Sequence, residues 1–310
     1  MPTETARSDA RRGPRVVPCV TSTRGEAASA LLPYLRLVRA PAMFSALGDP
    51  LAGLLLDDGE FNVDTAARLS AAAALMYLAG MALNDYADRE DDARDRPERP
   101  IPSGAISPRT AALLGGSLLV AGVALARQTG ARRTGPALAM MVVAYDFQLK
   151  HMRVLGPIAM GACRSLSLLM GVEASGRSLR AERRVAAPML LGAYVAGLTL
   201  IARSETRDAN LRELRGGAAL AATALLASAL YGGARSVPWA AAAAALAAPS
   251  VRRALQTPGP STIGPAVGAL IRAIPALDGS LAGAASPAPM AALLSLLALT
   301  RWGRALVPIT

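Results

Sequence analysis

Blocks of apolar sequence, each close to the thickness of a bilayer, constrain this 310-residue chain more than any other feature. Residues 66–84, 109–127, 155–172, 186–202, 216–234 and 286–300 each approach the roughly 20 residues that span a hydrocarbon core, and few of them carry a charge. Hydrophobic residues make up 53% of the chain and charged residues 18%, against about 45–50% and about 25% in soluble domains. Ala and Leu dominate the blocks and no period-2 alternation runs through them, which argues for helices and against a transmembrane β-barrel. The fold class is therefore all-α, a polytopic membrane bundle of nine to ten transmembrane helices. A soluble enzyme, a disordered chain and a disulfide scaffold are excluded.

Ten apolar segments carry this reading: 37–56, 66–84, 109–127, 133–149, 155–173, 186–203, 216–234, 237–250, 262–283 and 286–306. Segment 237–250 is short and followed by Arg252 and Arg253, so a half-length or tilted span is expected there. The formal net charge is +11, and the basic residues lie between the spans, where they orient helices and meet anionic lipid. Residues 57–65 are acidic, whereas 86–109 holds Arg89, Arg94, Arg96, Arg99 and Arg109. The positive-inside rule then places 86–109, Lys150–Arg153 and Arg203–Arg215 in the cytoplasm. Segment 174–185, with four arginines, runs against this phase. Residues 1–30, with Arg7, Arg11, Arg12, Arg15 and Arg24, read as a flexible cytoplasmic tail without the apolar core of a signal peptide. The transmembrane domain occupies 31–306, in the cell membrane. No basic fold accompanies the tail, so nucleic acid is not expected as a partner. With His151 the only histidine, a His-based zinc site is improbable, and Cys19 and Cys163 are not expected to pair.

Seven of the 22 acidic residues (Asp85, Asp88, Glu90, Asp91, Asp92, Asp95, Glu98) crowd the end of the second span. If the helix continues, Asn84, Asp88 and Asp92 recur at i, i+4, i+8 on one face, with Asp85 beside it. Carboxylates at that spacing repel, and a divalent cation reverses the effect; Mg²⁺ favours a few carboxylates together with phosphate oxygens. Arg96, Arg99, Pro100, Ser103 and Gly104 follow and offer phosphate ligands on a rigid loop. Carboxylates for a metal and arginines for a phosphate, at a membrane surface, point to diphosphate chemistry. A solvated acidic helix end is the competing reading.

The stretch 84–104 resembles the first aspartate-rich motif of the UbiA-type prenyltransferase superfamily, N-D-x-x-D-x-x-x-D followed by R-P-x-x-S-G. The resemblance implies helices around a central cavity and transfer of a prenyl group from a Mg²⁺-bound polyprenyl diphosphate to an aromatic or other lipophilic acceptor. It implies Asn84, Asp85, Asp88 and Asp92 as metal ligands, with Asp88, Lys150 and Arg99 as the catalytic groups. Tyr145-Asp146-Phe147-Gln148-Leu149-Lys150 is similar to the family's Tyr-containing segment that helps hold diphosphate. Asn84, Arg99, Ser103, Tyr145, Lys150, Arg164 and Arg203 are thus expected around the diphosphate. Leu155–Arg164 looks most like the EboC-like branch, which is associated with secondary-metabolite export. Arg164, inside an apolar span, is either functional or paired with Asp146 or Asp278. The second family motif, commonly D-x-x-x-D, departs: Ala202–Asp208 offers only Glu205 and Asp208, at i, i+3, as further metal ligands, among Arg203 and Arg207. That departure keeps open an alternative function, a non-catalytic lipid-diphosphate binder or a partner in export or assembly. Asp49 is expected to satisfy a broken backbone beside Pro50, and Asp278 to line the cavity.

Overall fold

The computed structural model describes residues 31–56, 62–176, 182–204, 210–283, 292–296 and 298–299. The body from Pro33 onward forms one compact unit. Its helices are α1 (Gly48–Leu55), α2 (Val63–Ala87), α3 (Arg89–Asp95), α4 (Pro108–Gln128), α5 (Thr134–Phe147), α6 (Leu155–Ala174), α7 (Glu182–Arg203), α8 (Leu211–Gly232), α9 (Val237–Gln256) and α10 (Pro260–Ala282). Five of the described helices are long and apolar enough to cross a membrane: α2, α4, α6, α7 from Arg184 and α8. The chain is a multi-pass membrane protein with an all-helical fold.

Local chemistry sets where these helices begin. Asn62 accepts from the Thr65 N–H at 2.9 Å to open α2, and Ser107 accepts from Thr110 at 3.1 Å, with Pro108 in the first turn of α4. Both are side-chain caps for backbone donors that a helix start leaves unpaired. The start of α5 is capped from another helix: the Glu173 carboxylate, near the end of α6, accepts from the N–H groups of Arg133 and Thr134 at 3.0 and 2.8 Å and from the Thr134 hydroxyl at 2.6 Å. Replacing Glu173 with alanine removes the acceptor of all three donors. It is expected to cost about 1–2 kcal/mol, read as a lowered Tm of the detergent-solubilised chain, whereas Glu173→Gln retains part of the cap.

Three expectations about elements need correction. Segment 37–56 is not one helix: Arg39 turns the backbone at φ 46°, a 3₁₀ turn follows at Ala40–Ser45, and α1 begins only at Gly48. Segment 237–250 is not half-length, because α9 runs 20 residues to Gln256 and carries Arg252 and Arg253 in its last turns. The acidic stretch does not continue α2 unbroken. Asp88, at φ −87° and ψ 3°, separates α2 from α3, although the Asp92 N–H still reaches the Asp88 carbonyl at 2.8 Å.

Small residues let these helices approach closely, the usual device where lipid supplies no hydrophobic drive between them. Gly53 of α1 lies against the Leu168 carbonyl of α6, and Gly171 of α6 lies against the Pro50 carbonyl, with no room for a Cβ at either. Gly197 and Gly217 join α7 to α8 in the same way. Short links between antiparallel neighbours bring the ends of α2, α5 and α7 and the start of α8 to one face of the bundle. Ion pairs and hydrogen bonds confirm the shared face: Lys150 meets Asp88, Arg203 donates to the Lys150 carbonyl, and Arg153 meets Glu213.

Candidate functional site

At that face the acidic stretch is met by cations from three chain segments. Asp85 Oδ1 accepts from Arg39 Nη2 at 3.0 Å and lies 3.5 Å from Arg99 Nη1. Arg99 Nη1 also donates to Asp92 Oδ2 at 2.6 Å. Lys150 Nζ stands 2.6 Å from Asp88 Oδ1, an ion pair reaching from the turn after α5 to the break after α2. Asp85, Asp92 and Arg99 are buried, while Asp88 is half-buried. The break at Asp88 explains the division of partners. It leaves Asp85 and Asp92 facing the Arg99 loop, and turns Asp88 toward α5.

Asn84 donates through Nδ2 to Asp146 Oδ1 at 3.2 Å. Asp146 is 2% exposed and its Oδ2 has no hydrogen-bond partner. Asp146 borders a cavity of about 90 Å³ whose wall is almost wholly apolar, with Met76, Met81, Leu138 and Val142 beside Tyr77, Tyr145 and Cys163. Besides Asp146, which Asn84 ties to the acidic stretch, the cavity is bordered by a second polar group. There Arg164 Nη2 donates to Asp49 Oδ1 at 2.7 Å and to the Ser45 carbonyl. The Asp278 carboxylate packs on Gly48, one residue from Asp49. Arg164 therefore pairs with Asp49, across 115 residues, rather than with Asp146 or Asp278. Asp49 is an ion-pair partner and not merely a patch for broken backbone.

The remaining expected residues divide. Tyr145 lines the cavity. Among the described residues Arg203 meets no carboxylate; its Nη1 donates to the Lys150 and Met152 carbonyls at 3.2 and 3.3 Å and so fixes the turn that carries Lys150. Ser103 is exposed and donates to the Pro100 carbonyl at 3.3 Å, away from the cluster. Glu205 and Asp208 lie outside the described residues. Two groups escaped sequence reading. Arg39, three residues after Arg36, precedes an Ala-Pro turn at the head of the first apolar segment, and Asp146, read from sequence only as a partner for Arg164, sits inside the motif of Tyr145 and Lys150.

The donors suit a hard divalent cation, being carboxylate and amide oxygens. Asp85, Asp88 and Asp92 each present one carboxylate oxygen to a cationic side chain: Oδ1 of Asp85 and Asp88, and Oδ2 of Asp92. Among the described residues no three acidic side chains are gathered to metal-ligand distance. Each carboxylate is instead set beside a basic side chain, with Arg99 shared by Asp85 and Asp92, which offsets the repulsion between like charges.

A family model described as the UbiA prenyltransferase family matches residues 46–257, more than two thirds of the chain. The chain belongs to the UbiA prenyltransferase family. One relative, a digeranylgeranylglyceryl phosphate synthase of Ignicoccus hospitalis, is 35% identical over 179 residues, which is 56% of this chain and 58% of that protein. The chain thus spans less than two thirds of that relative's length. The solved apo structure of a UbiA homologue from Aeropyrum pernix superposes with a TM-score of 0.63 at 22% identity, covering 76% of this chain and 96% of that one. A UbiA homologue from Archaeoglobus fulgidus bound to GPP and Mg²⁺ does so with a TM-score of 0.54 at 15% identity, covering 89% and 99%. At such identities the likeness is one of fold. The relatives are named digeranylgeranylglyceryl phosphate synthases, which corrects the placement nearest the EboC-like branch.

Proposed function

We propose that this UbiA-family chain is an intramembrane prenyltransferase that moves a prenyl group from a polyprenyl diphosphate to a lipophilic acceptor. The observation that carries the proposal is the Asp88–Lys150 pair and the Arg39–Asp85–Arg99–Asp92 cluster, gathered at the ends of α2 and α5, the helices that also wall the apolar cavity. A diphosphate needs cations from more than one helix, and Arg39, Arg99 and Lys150 supply them from separate segments. Asn84, Asp85, Asp88 and Asp92 would hold Mg²⁺, with Glu205 and Asp208 as the further acidic ligands. Bound there, the metal would supply positive charge to the diphosphate oxygens. Lys150 and Arg99 would stabilise the negative charge that grows on the leaving diphosphate, the point at which preorganised electrostatics lower a barrier. Arg203 positions Lys150 through its carbonyl, and Tyr145 borders the reacting end of the cavity. The apolar wall excludes water from the allylic carbon.

The relatives' name supports a prenylated glyceryl phosphate as the acceptor class. We place the N-terminus and the rim in the cytoplasm, residues 1–30 as a tail, and 31–306 as a membrane domain of nine to ten spans in the cell membrane. The test uses the purified full chain in nanodiscs with labelled geranylgeranyl diphosphate, Mg²⁺ and a panel of glyceryl ether phosphates and aromatic acceptors. Prenylated product and released diphosphate are expected. The poor second acidic motif, Glu205 and Asp208 among arginines, favours a second reading, a lipid-diphosphate binder without turnover. Saturable binding with no product from any acceptor would select it.

A further inference from the structure

A larger recess lies away from the proposed reaction site. Between α8 and α9, backed by Tyr194 of α7 and Leu270 of α10, a trough of about 570 Å³ opens with an apolar wall. This is within the range of about 300–1,000 Å³ typical of ligand clefts. Its floor is made of alanines such as Ala218, Ala222, Ala244 and Ala248, whose short side chains leave the space. A recess of this kind in a bilayer does not stay empty, because its walls would forfeit their dispersion contacts.

Two charged groups belong to the trough, Arg215 and Arg252. Arg215 is in the second turn of α8 and Arg252 is near the end of α9. The helices are antiparallel, so both sit at one end, on the face that carries the acidic rim. The guanidinium groups of Arg39, Arg99, Arg153, Arg164 and Arg203 are all engaged by carboxylates or carbonyls. Arg215 and Arg252 are exposed and have no such partner among the described residues. From Arg215 to Leu226, the farthest lining residue on α8, the helix rises about 16 Å. That is about half of the roughly 30 Å hydrocarbon core, the depth of one leaflet.

We propose that the α8–α9 trough is a binding site for an anionic glycerophospholipid of the leaflet on the rim side, its acyl chain along the alanine floor and its phosphate between Arg215 and Arg252. A zwitterionic lipid fits less well, because the residues that line the trough include two arginines and no carboxylate for its amine. Paired basic residues at the membrane surface contribute about 1 kcal/mol each toward anionic lipid, enough for a preference of roughly tenfold or more.

Native mass spectrometry of the full chain, incubated with phosphatidylglycerol or phosphatidylcholine, tests this. Wild type is expected to retain one phosphatidylglycerol about tenfold more tightly than phosphatidylcholine. Arg215→Ala/Arg252→Ala should abolish the difference. Arg212→Ala/Arg253→Ala, which removes two arginines of the same helix ends that do not line the trough, should preserve it. Ala222→Leu/Ala248→Leu fills the trough at exposed positions and keeps both arginines; it should also lose the bound lipid. Equal retention of the two lipids, or a phosphatidylglycerol preference that survives both trough variants, overturns the proposal. So does a dimer that persists after delipidation and dissociates in the leucine variant, which would give the trough to a second copy of the chain. None of these readings depends on prenyl transfer.

Discussion

Asp88→Ala is expected to slow diphosphate release from labelled geranylgeranyl diphosphate by about 10²–10³-fold, the scale of losing one preorganised electrostatic group. Lys150→Ala should fall into the same range, because Lys150 Nζ lies 2.6 Å from Asp88 and the two would act on the same diphosphate. Their double variant should cost little more than either alone, since groups that act as a unit are not additive. Single-turnover release of labelled diphosphate is the measurement. Asp91, which is exposed and pairs with Arg94, is the control within the same acidic stretch. Asp91→Asn should leave the rate unchanged. Equal loss from Asp88→Ala and Asp91→Asn would mean that the stretch acts only through its net charge.

Arg164→Leu is expected to be the most destabilising substitution in the bundle. Among the described residues it would leave Asp49, fully buried, and Asp278, also fully buried, with no cation beside them in a membrane interior. Removing one partner of a buried ion pair costs about 3–5 kcal/mol, because the orphaned charge stays desolvated. The check is Tm and monodispersity of the purified variant in detergent. Asp49→Leu/Arg164→Leu removes both charges of the pair and should recover most of the loss. If the double variant is no more stable than Arg164→Leu, the Asp49–Arg164 pair is not what holds α1 against α6.

Much of this arrangement is legible from residue order alone. The apolar blocks mark the long helices because a bilayer demands about 20 apolar residues from each span. The density of carboxylates after Asn84, followed by Arg99 and later by Lys150, marks the rim, and the structure brings those residues together. What sequence conceals is which way side chains turn. Hydropathy locates Arg164 and Asp49 in different spans but carries no signal that they face one another. The i, i+4 pattern of Asn84, Asp88 and Asp92 suggests one common face. The break at Asp88 instead sends neighbouring acids to different cations, because each charge settles where a partner lies. Arg39 becomes visible only when its positive φ folds it back over α2. Ser103 shows the opposite failure, a motif residue that hydrogen-bonds within its own loop.

The central claim is that the cluster of Asp85, Asp88, Asp92, Arg39, Arg99 and Lys150 is a metal-dependent diphosphate site. Binding of labelled geranylgeranyl diphosphate to the full chain in nanodiscs, titrated with Mg²⁺ and competed with inorganic diphosphate, tests it most directly. Saturable binding that requires Mg²⁺, yields to inorganic diphosphate and is lost in Asp88→Ala is the expected result. Binding that is indifferent to chelation of Mg²⁺ and to inorganic diphosphate would contradict it, for the cavity would then be holding only the prenyl chain.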